Sequence, residues 1–206
     1  MSDGTRYENI RPLAEMHRKI RRLNKELSRR QKESGHWKRT RAKLARAHGK
    51  VRNLRNHYLH EISAGIVAKG AVAVGMETLN VKGMQANRHL ARAISDLGLY
   101  ELRRQVGYKA EWNGSQMILV DQWYPSSKTC SECGYVREKL RLDERSFICP
   151  ACGVIIDRDL NAALNLAAMA AKAVDIANRQ NRRGLPVELV KGKRHEEAGR
   201  ALHESA

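Results

Sequence analysis

The sequence is poor in three features that would indicate other classes of protein. It contains no run of about 18 apolar residues, so we expect no helix that spans a membrane. It shows no serine or cysteine nucleophile motif and no glycine-rich phosphate loop. Acidic residues are also scarce, because 22 Asp and Glu stand against 39 Lys and Arg and leave a net charge of +17. This excess excludes a typical enzyme of small metabolites and indicates a polyanion as the partner.

The positive charge is concentrated near the N-terminus. Residues 11–60 carry 17 Lys and Arg but only three Glu, which accounts for +14 of the net charge. Apolar residues recur there at helical spacing in two groups, separated by a break at 33–35, so we predict an antiparallel helical hairpin over 11–66. The apolar positions are Leu13, Met16, Ile20, Leu23 and Leu27 in the first group and Leu44, Val51, Leu54, Tyr58, Ile62 and Ile66 in the second.

The exposed faces of this predicted hairpin carry basic residues with almost no acids among them. A face that is merely solvated usually alternates in sign, so this one favours contact with the phosphates of nucleic acid. Such contacts supply affinity rather than recognition of base sequence. The predicted nucleic-acid-binding residues are Arg18, Arg21, Arg22, Lys25, Arg29, Arg30, Arg39, Arg41, Lys43 and Arg46.

The middle of the chain alternates predicted strands and helices. Residues 71–77 form a short apolar run that ends in Glu77, which places this carboxylate at the tip of a buried strand. A helical stretch over 89–112 and a second apolar strand over 116–123 follow. Strand, helix and strand in this order predict an α/β fold. Taken alone, a Glu at a strand tip is usually a partner in a surface ion pair.

The cysteines of the chain form two CxxC pairs. Cys130 and Cys133 are separated from Cys149 and Cys152 by 15 residues. This spacing is typical of a structural zinc site, in which four thiolates form a tetrahedron around the ion. Two disulfides or a redox pair are the alternative, but the sequence shows no signal peptide, and a reduced cytoplasm disfavours disulfides.

The segment DRDLNAALNL after the second cysteine pair marks the start of a last helix, predicted from Leu160 to about Asn178. Either Asp157 or Asp159 could serve as its N-cap, which is the usual role of an Asp before an apolar run. Helix formation alone therefore explains these two acids.

Four segments together resemble the TnpB (OrfB) family of transposon-encoded proteins, which are relatives of type V CRISPR effectors. The segments are LNVKGM, SSKTCSECG, FICPACG and DRDLNAALNL. The resemblance implies an RNase H-like core of RuvC type, RNA-guided cleavage of DNA and carriage in an insertion sequence. It makes Glu77 the middle acid and Asp159 the last acid of the nuclease site, and it leaves Asp157 a structural role. It further implies that Glu77 and Asp159 bind Mg²⁺, that the zinc is structural, and that DNA and guide RNA are partners.

One departure from the family concerns the N-terminus. Residues 1–10 include Asp3 and Gly4, a pair typical of tight turns, and are predicted to be the remaining strand of a β-hairpin. In the family a similar segment follows the first RuvC strand, whose tip carries the first catalytic Asp. We therefore expect this chain alone to cleave DNA weakly or not at all, unless a partner chain completes the sheet and supplies the acid.

These observations predict the organisation of the chain from its N-terminus to its C-terminus. The predicted parts are a remnant strand of the core (1–10), a basic helical hairpin (11–66), RuvC-like core strands and a helix (67–125), an inserted zinc ribbon (126–153), the last RuvC motif with its core helix (154–178) and a mobile tail (179–206). Since no membrane span is predicted, we expect the protein in the cytoplasm, associated with the nucleoid.

Three functions remain open from the sequence. The first is a TnpB-type nuclease that acts on DNA with an RNA guide. The second is a noncatalytic, nucleic-acid-binding derivative of such a nuclease. The third is an unrelated zinc-ribbon protein that binds structured RNA, and it ranks last because it leaves the segments LNVKGM and DRDLNAA unexplained.

Overall fold

A computed structural model describes residues 1–141 and 143–182 of the chain. Over these residues the chain forms a pair of long helices, an α/β layer and a small β-ribbon. The elements are α1 (Pro12–Ser28), α2 (Gly35–Val67), β1 (Ala73–Glu77), α3 (Val81–Ala86), α4 (Ala91–Leu97), α5 (Leu99–Trp112), β2 (Gln116–Val120), β3 (Ser146–Ile148), β4 (Ile155–Asp157) and α6 (Arg158–Arg182).

The helices α1 and α2 run antiparallel and share an apolar core of their own. Ser34 caps α2, because its Oγ accepts a hydrogen bond from the amide of Trp37 at 3.2 Å. Near the connection between the helices, the hydroxyl of Thr40 donates to Glu26 at 3.1 Å. The core consists of Ile20, Leu23, Ala47 and Val51, with the partly buried Leu13, Met16 and Leu44 packed around them.

Asp96 of α4 joins three helices at the opposite end of this pair. Its carboxylate accepts hydrogen bonds from the amides of Leu13, at 3.0 Å, and Ala14, at 3.2 Å. It also forms an ion pair with Arg55 of α2, whose Nη2 lies 2.9 Å from Oδ1. Asp96 is only 3% exposed. It therefore replaces the N-cap that α1 lacks, since Arg11 makes no capping hydrogen bond there.

A parallel pair of strands forms the centre of the α/β layer. β1 and β2 pair along their whole length, and Glu77 at the end of β1 lies opposite Val120. α5 packs between β2 and α2, while α6 crosses β1. Gly75 permits this crossing, because a Cβ on it would lie 2.5 Å from the carbonyl oxygen of Leu166. The end of β1 and the start of α6 are thereby held in one body.

Residues 1–11 form no strand, so the predicted remnant strand of the core is not present. The amide of Gly4 closes a turn on the carbonyl of Met1 at 3.0 Å, but no described strand pairs with the residues that follow. Side chains hold the segment instead. Asp3 forms an ion pair with Lys69, and Arg6 forms one with Asp157 at 2.7 Å. A turn signature predicts local geometry only, whereas a strand also needs a distant partner.

Other predicted boundaries differ by a few residues. α6 begins at Arg158 and continues to Arg182, so its N-terminal end precedes the predicted Leu160. The helical stretch predicted over 89–112 is divided into α4 and α5 at Gly98, which has a φ of 62°. Of the predicted mobile tail, residues 179–182 belong to α6 and the remainder lies outside the described residues.

By length and composition alone, α6 is the one helix in the described part of the chain that could cross a membrane. This is weak evidence, because the core helix of a globular protein passes the same test. α6 packs on β1 and buries Asn161, Asn165 and Ala170. These contacts place one face of α6 against the α/β layer.

Replacing Asp96 with Ala should lower the free energy of unfolding by about 3 kcal/mol or more, because Arg55 and the first amides of α1 would lose their partner. Chemical denaturation followed by circular dichroism measures this loss. Asp143, which is exposed and paired with Arg141 at 3.0 Å, provides the control. Asp143→Ala should change the free energy by less than about 1 kcal/mol. Equal losses in the two variants would contradict the role assigned to Asp96.

Candidate functional site

Each cysteine pair lies in a tight turn with the same backbone hydrogen bonds. The amide of Cys130 donates to the carbonyl of Tyr135 at 2.8 Å, and the amide of Gly134 donates to the carbonyl of Cys130 at 3.0 Å. The turn at Cys149 repeats this pattern at 3.0 and 2.9 Å. Gly134 and Gly153 have φ values of 77° and 76°, which a residue with a side chain rarely adopts. The sequence therefore folds into two equivalent turns that present their thiols on one side.

The four cysteine sulfurs lie within 4.8 Å of one another. The Sγ atoms of Cys130 and Cys152 are 3.7 Å apart, and those of Cys133 and Cys149 are 3.6 Å apart. All four are free thiols, so the alternative of two disulfides is not what the fold forms. Four sulfurs at this spacing match the closed, four-thiolate donor set of a structural zinc site.

The pKa values of two of the thiols indicate that the cluster needs a cation. Burial disfavours the thiolate of Cys149, but hydrogen bonds from the amides of Cys152 and Ala151 outweigh it and lower the pKa of Cys149 to about 6. At Cys152 the amide of Val154 favours the thiolate, yet burial and the neighbouring sulfurs outweigh that amide and raise the pKa to about 12. Four thiolates so close together repel one another, and a divalent cation removes this repulsion.

The ribbon around the sulfurs has a small apolar core. Phe147 on β3 is completely buried and packs with Cys130 and Cys149. The half-buried Leu140, Val154 and Ile156 surround this centre. So small an apolar core is typical of ribbons whose folding is coupled to metal binding.

Two asparagines of α6 connect the ribbon to the α/β layer. Asn161 is fully buried, and it accepts a hydrogen bond from the amide of Ser131 at 2.9 Å and donates to the carbonyl of Thr129 at 2.7 Å. Asn165 donates to the carbonyls of Ser126, at 2.8 Å, and of Thr129, at 2.7 Å. The amides satisfy backbone groups on both sides of Cys130, so the first cysteine turn is fixed on α6.

Glu77 lies half-buried at the end of β1. Its Oε1 accepts a hydrogen bond from the hydroxyl of Ser126 at 2.5 Å. Ser126 is 5% exposed and begins the segment that leads into the first cysteine turn. The predicted middle acid is thus in direct contact with the base of the ribbon.

Of the two acids before the last helix, Asp157 is the N-cap. Its Oδ1 accepts hydrogen bonds from the amides of Asp159 and Leu160, each at 3.0 Å. The amide of Leu160 and then the guanidinium of Arg6 lower the pKa of Asp157, and the amide of Asp159 adds a smaller effect. Asp159 is left in the first turn of α6 with its side chain 74% exposed and 3.6 Å from Nε of Arg158. The capping role therefore falls on Asp157, and Asp159 is directed towards solvent.

Glu77 and Asp159 lie on adjoining elements, but they are not bonded to each other. Within the described residues, the four cysteines form the only cluster of three or more metal-ligand side chains. Asp159 borders a pocket between the N-terminal segment and α2, and Glu77 does not line that pocket. The chain thus supplies two carboxylates near the same end of the layer rather than a completed three-acid site.

The predicted basic face lies on α1 and α2. Arg30 differs from the other members, because it is half-buried and forms an ion pair with Glu26. The exposed members are Arg18, Arg21, Arg22, Lys25, Arg29, Arg39, Arg41, Lys43 and Arg46. These nine side chains form a cationic surface on the helical pair, and Arg30 instead contributes to its folding.

Sequence reasoning missed three residues of this site: Ser126, Asn161 and Asn165. The two asparagines are four residues apart in an apolar helix, which places them on one face. Polar residues on the buried face of a helix need partners, so this spacing was a signal of a polar contact. The partner of Ser126 could not be read from the sequence, since Glu77 is 49 residues away.

Two family models match the chain. Residues 1–88 match the OrfB_IS605 family, described as a probable transposase. Residues 100–166 match the Cas12f1-like TNB domain. The first match includes the basic helical pair and Glu77, and the second includes all four cysteines and Asp159.

Several curated proteins are similar to this chain. A Streptomyces pristinaespiralis protein named "Putative RNA-guided DNA endonuclease" is 38% identical over 82% of this chain and 41% of its own length. InsQ of Escherichia coli K12, which carries the same description, is 32% identical over 82% of this chain and 45% of its own length. The CRISPR-associated endodeoxyribonuclease Cas12f1 of Sulfoacidibacillus thermotolerans is 33% identical over 65% of this chain and 32% of its own. The chain thus spans less than half the length of each of these relatives.

Solved structures show a similar fold. A Cas12f ternary complex determined by cryo-electron microscopy matches with a TM-score of 0.54 and 22% identity, covering 74% of this chain and 31% of that one. A Cas12f1 complex with sgRNA and target DNA matches with a TM-score of 0.50 and 20% identity, covering 75% of this chain and 41% of that one. The mixed helix and strand architecture of this chain is therefore that of Cas12f1 proteins.

The protein should contain one zinc ion per chain, bound by Cys130, Cys133, Cys149 and Cys152. Cys149→Ser should abolish zinc binding and unfold the ribbon locally, while the α/β layer persists, because metal binding and folding of the ribbon are coupled. Elemental analysis and amide hydrogen exchange measure the two effects. Ser146→Ala, at an exposed position on β3, should keep the metal. Protein purified without chelators that contains no zinc would contradict the assignment.

Proposed function

The chain belongs to the TnpB and Cas12f family, and on this basis we propose that it carries the nuclease acids and nucleic-acid-binding surfaces of an RNA-guided DNA endonuclease encoded by an insertion sequence. One observation carries the proposal. Glu77 ends a parallel strand, Asp159 lies in the first turn of the helix packed on that strand, and the cysteine ribbon is fixed between them. This arrangement supports the proposal of a RuvC-type site, in which acids from a strand end and a helix start would act together.

In the proposed site, Glu77 and Asp159 are ligands of Mg²⁺. Carboxylate oxygens are the ligands that Mg²⁺ prefers, and a bound ion would supply activation of water and stabilisation of the leaving oxygen for phosphodiester cleavage. Glu77 is suited to this role because one of its oxygens is fixed by Ser126. Asp159 is suited because Asp157 performs the capping function and leaves its carboxylate exposed.

The helical pair and the ribbon are proposed as insertions into the RuvC core. The cationic surface of α1 and α2 binds the phosphates of guide RNA and DNA, and zinc keeps the ribbon folded without taking part in the chemistry. A protein with these partners is expected in the nucleoid.

A second candidate is a binding protein without turnover. It is favoured by the described residues, among which no third carboxylate joins Glu77 and Asp159 in a cluster of metal-ligand side chains. Asp3 does not fill this role, because its hydrogen bond from Lys69 lowers its pKa and ties it to an ammonium group rather than to a metal. In this reading, the chain binds nucleic acid through its cationic surface and cleaves it only if a partner chain supplies a further acid.

The cationic surface should bind RNA and DNA with little sequence preference and with strong salt dependence. Changing Arg18, Arg21, Arg22 and Arg29 to Glu should weaken binding and reduce the slope of log K against log salt by about 3, since each lost phosphate contact contributes about 0.7 to 0.9. Arg30 is kept because it supports Glu26 within the fold. Fluorescence anisotropy with labelled oligonucleotides at several salt concentrations measures both effects.

The control for this experiment has the same change of net charge at other exposed positions. The control substitutions are Lys82→Glu, Lys139→Glu, Lys172→Glu and Arg179→Glu. This variant should retain most of the affinity and slope. If both variants lose affinity equally, net charge and not the helical pair is responsible for binding.

The purified 206-residue chain should cleave plasmid or single-stranded DNA very slowly in the presence of Mg²⁺. Among the described residues no third carboxylate joins Glu77 and Asp159 in a metal-ligand cluster. An incomplete ligand set commonly removes orders of magnitude of rate, because positioning of the metal supplies several kcal/mol of transition-state stabilisation. Glu77→Gln is the control for any residual cutting. Rapid cleavage that this substitution abolishes would show that another acid of the same chain completes the site.

A further inference from the structure

A path of hydrogen bonds connects the first cysteine turn to Glu77. Its first part is the amide group of Asn161. The Oδ1 of Asn161 accepts from the amide of Ser131 at 2.9 Å, and its Nδ2 donates to the carbonyl of Thr129 at 2.7 Å. Thr129 and Ser131 flank Cys130, so both sides of a predicted zinc ligand are held by one side chain of α6.

The second part of the path consists of Asn165 and Ser126. The Nδ2 of Asn165 donates to the carbonyl of Thr129 at 2.7 Å and to that of Ser126 at 2.8 Å. The hydroxyl of Ser126 then donates to Oε1 of Glu77 at 2.5 Å. Every step of the path from Cys130 to Glu77 is therefore a backbone bond or a direct hydrogen bond.

This path lies in the interior. Asn161 is 0% exposed, Asn165 and Ser126 are each 5% exposed, and Thr129 is 9% exposed. Hydrogen bonds shielded from water are stronger and hold their geometry. Removing one partner of such a bond has a large free-energy cost, because the other partner is left buried and unsatisfied. A displacement of the cysteine turn is thus transmitted to Ser126 instead of being absorbed by solvent.

The contact with Ser126 also leaves Glu77 able to bind a cation. The hydroxyl engages Oε1, and among the described residues Oε2 receives no hydrogen bond. A donor on one oxygen fixes the rotamer of the carboxylate, and the second oxygen stays available as a ligand. Metal-binding carboxylates commonly have such an outer hydrogen bond.

Resting on the nuclease function proposed above, we propose that Ser126, Asn161 and Asn165 are positioning residues that orient the Glu77 carboxylate, and that they make this orientation depend on the zinc ribbon. Zinc holds the turn that contains Cys130. That turn holds Ser126 through the two asparagines, and Ser126 holds Glu77. The structural metal thereby prepares the site of the catalytic metal without touching it.

The test compares two buried serines, Ser115 just before β2 and Ser126 after it. Ser126→Ala removes the hydroxyl that reaches Glu77. Ser115→Ala is the matched control, because Ser115 is 9% exposed and its hydroxyl donates to the carbonyl of Ala71 at 2.6 Å, at the other end of β1 and β2. Both substitutions remove one buried hydroxyl from the same layer, so a difference between them at Glu77 reflects position and not general loss of packing.

The readout is the side-chain carboxyl signal of Glu77 in the full 206-residue protein labelled with ¹³C-glutamate, assigned by its loss in Glu77→Gln. We expect Ser126→Ala to shift this signal and to weaken its broadening by Mn²⁺ about tenfold, as is typical when an outer hydrogen bond of a metal ligand is removed. Zinc content should remain that of the wild type. Ser115→Ala should leave both the signal and the Mn²⁺ response unchanged.

Removal of zinc by a chelator completes the test. In the wild type, zinc removal should shift the Glu77 signal in the same way as the Ser126→Ala substitution does. In the Ser126→Ala variant, zinc removal should cause little further shift, because the hydrogen bond between Ser126 and Glu77 is already lost. A Glu77 signal that does not move in zinc-loaded Ser126→Ala, or that moves equally in Ser115→Ala, would overturn the positioning role. Failure of nucleic-acid binding would instead contradict the proposed function and leave this readout intact.

Discussion

The close contact between α6 and β1 is the constraint on which the rest of the site depends. Gly75 has no side chain, so the carbonyl oxygen of Leu166 and the methyl group of Ala170 lie directly against its backbone. A Cβ at this position would push the helix away from the strand. Asn161 and Asn165 would then lose the backbone groups that they satisfy in the ribbon, because hydrogen bonds tolerate only a few tenths of an ångström of displacement. The absence of a side chain at Gly75 therefore determines how close the end of β1, the start of α6 and the first cysteine turn lie to one another.

The two kinds of ligand in this chain separate two tasks for metal ions. Four thiolates would close the coordination of a soft or borderline cation and leave no open position for substrate, which is the donor set of a structural centre. Carboxylates at the end of β1 and the start of α6 would suit a hard cation that keeps water in its shell. The hydrogen-bonded segment from Cys130 to Ser126 connects the cysteine turn to Glu77. In the proposal above, this segment lets one metal influence the other through geometry, although their chemistries do not overlap.

Features with a local signature could be predicted from the sequence, and features that depend on distant pairs could not. The cysteine spacing predicts the four-sulfur cluster, and the apolar periodicity identifies the residues that pack between α1 and α2. The segment 1–10 carries a turn signature but forms no strand, because pairing requires a neighbour that the sequence does not specify. Asp96 caps a helix that begins more than 80 residues earlier, and no pattern in the chain connects the two. Glu77 and Asp159 were predicted as site acids by resemblance, whereas their surroundings required the fold.

The cationic surface and the proposed acids lie on different elements, and this separation has an electrostatic reason. Binding a polyanion needs many exposed cations, each contributing a small, salt-dependent amount. Binding Mg²⁺ needs a few carboxylates whose charge is not already neutralised, and a neighbouring ammonium group competes directly with the metal. Lys69 illustrates this effect, because its pairing with Asp3 lowers the pKa of that acid and occupies its Oδ2, while the amide of Thr5 donates to Oδ1. At Glu77 the donor is instead the uncharged hydroxyl of Ser126, which orients the carboxylate and leaves its charge for a metal ion.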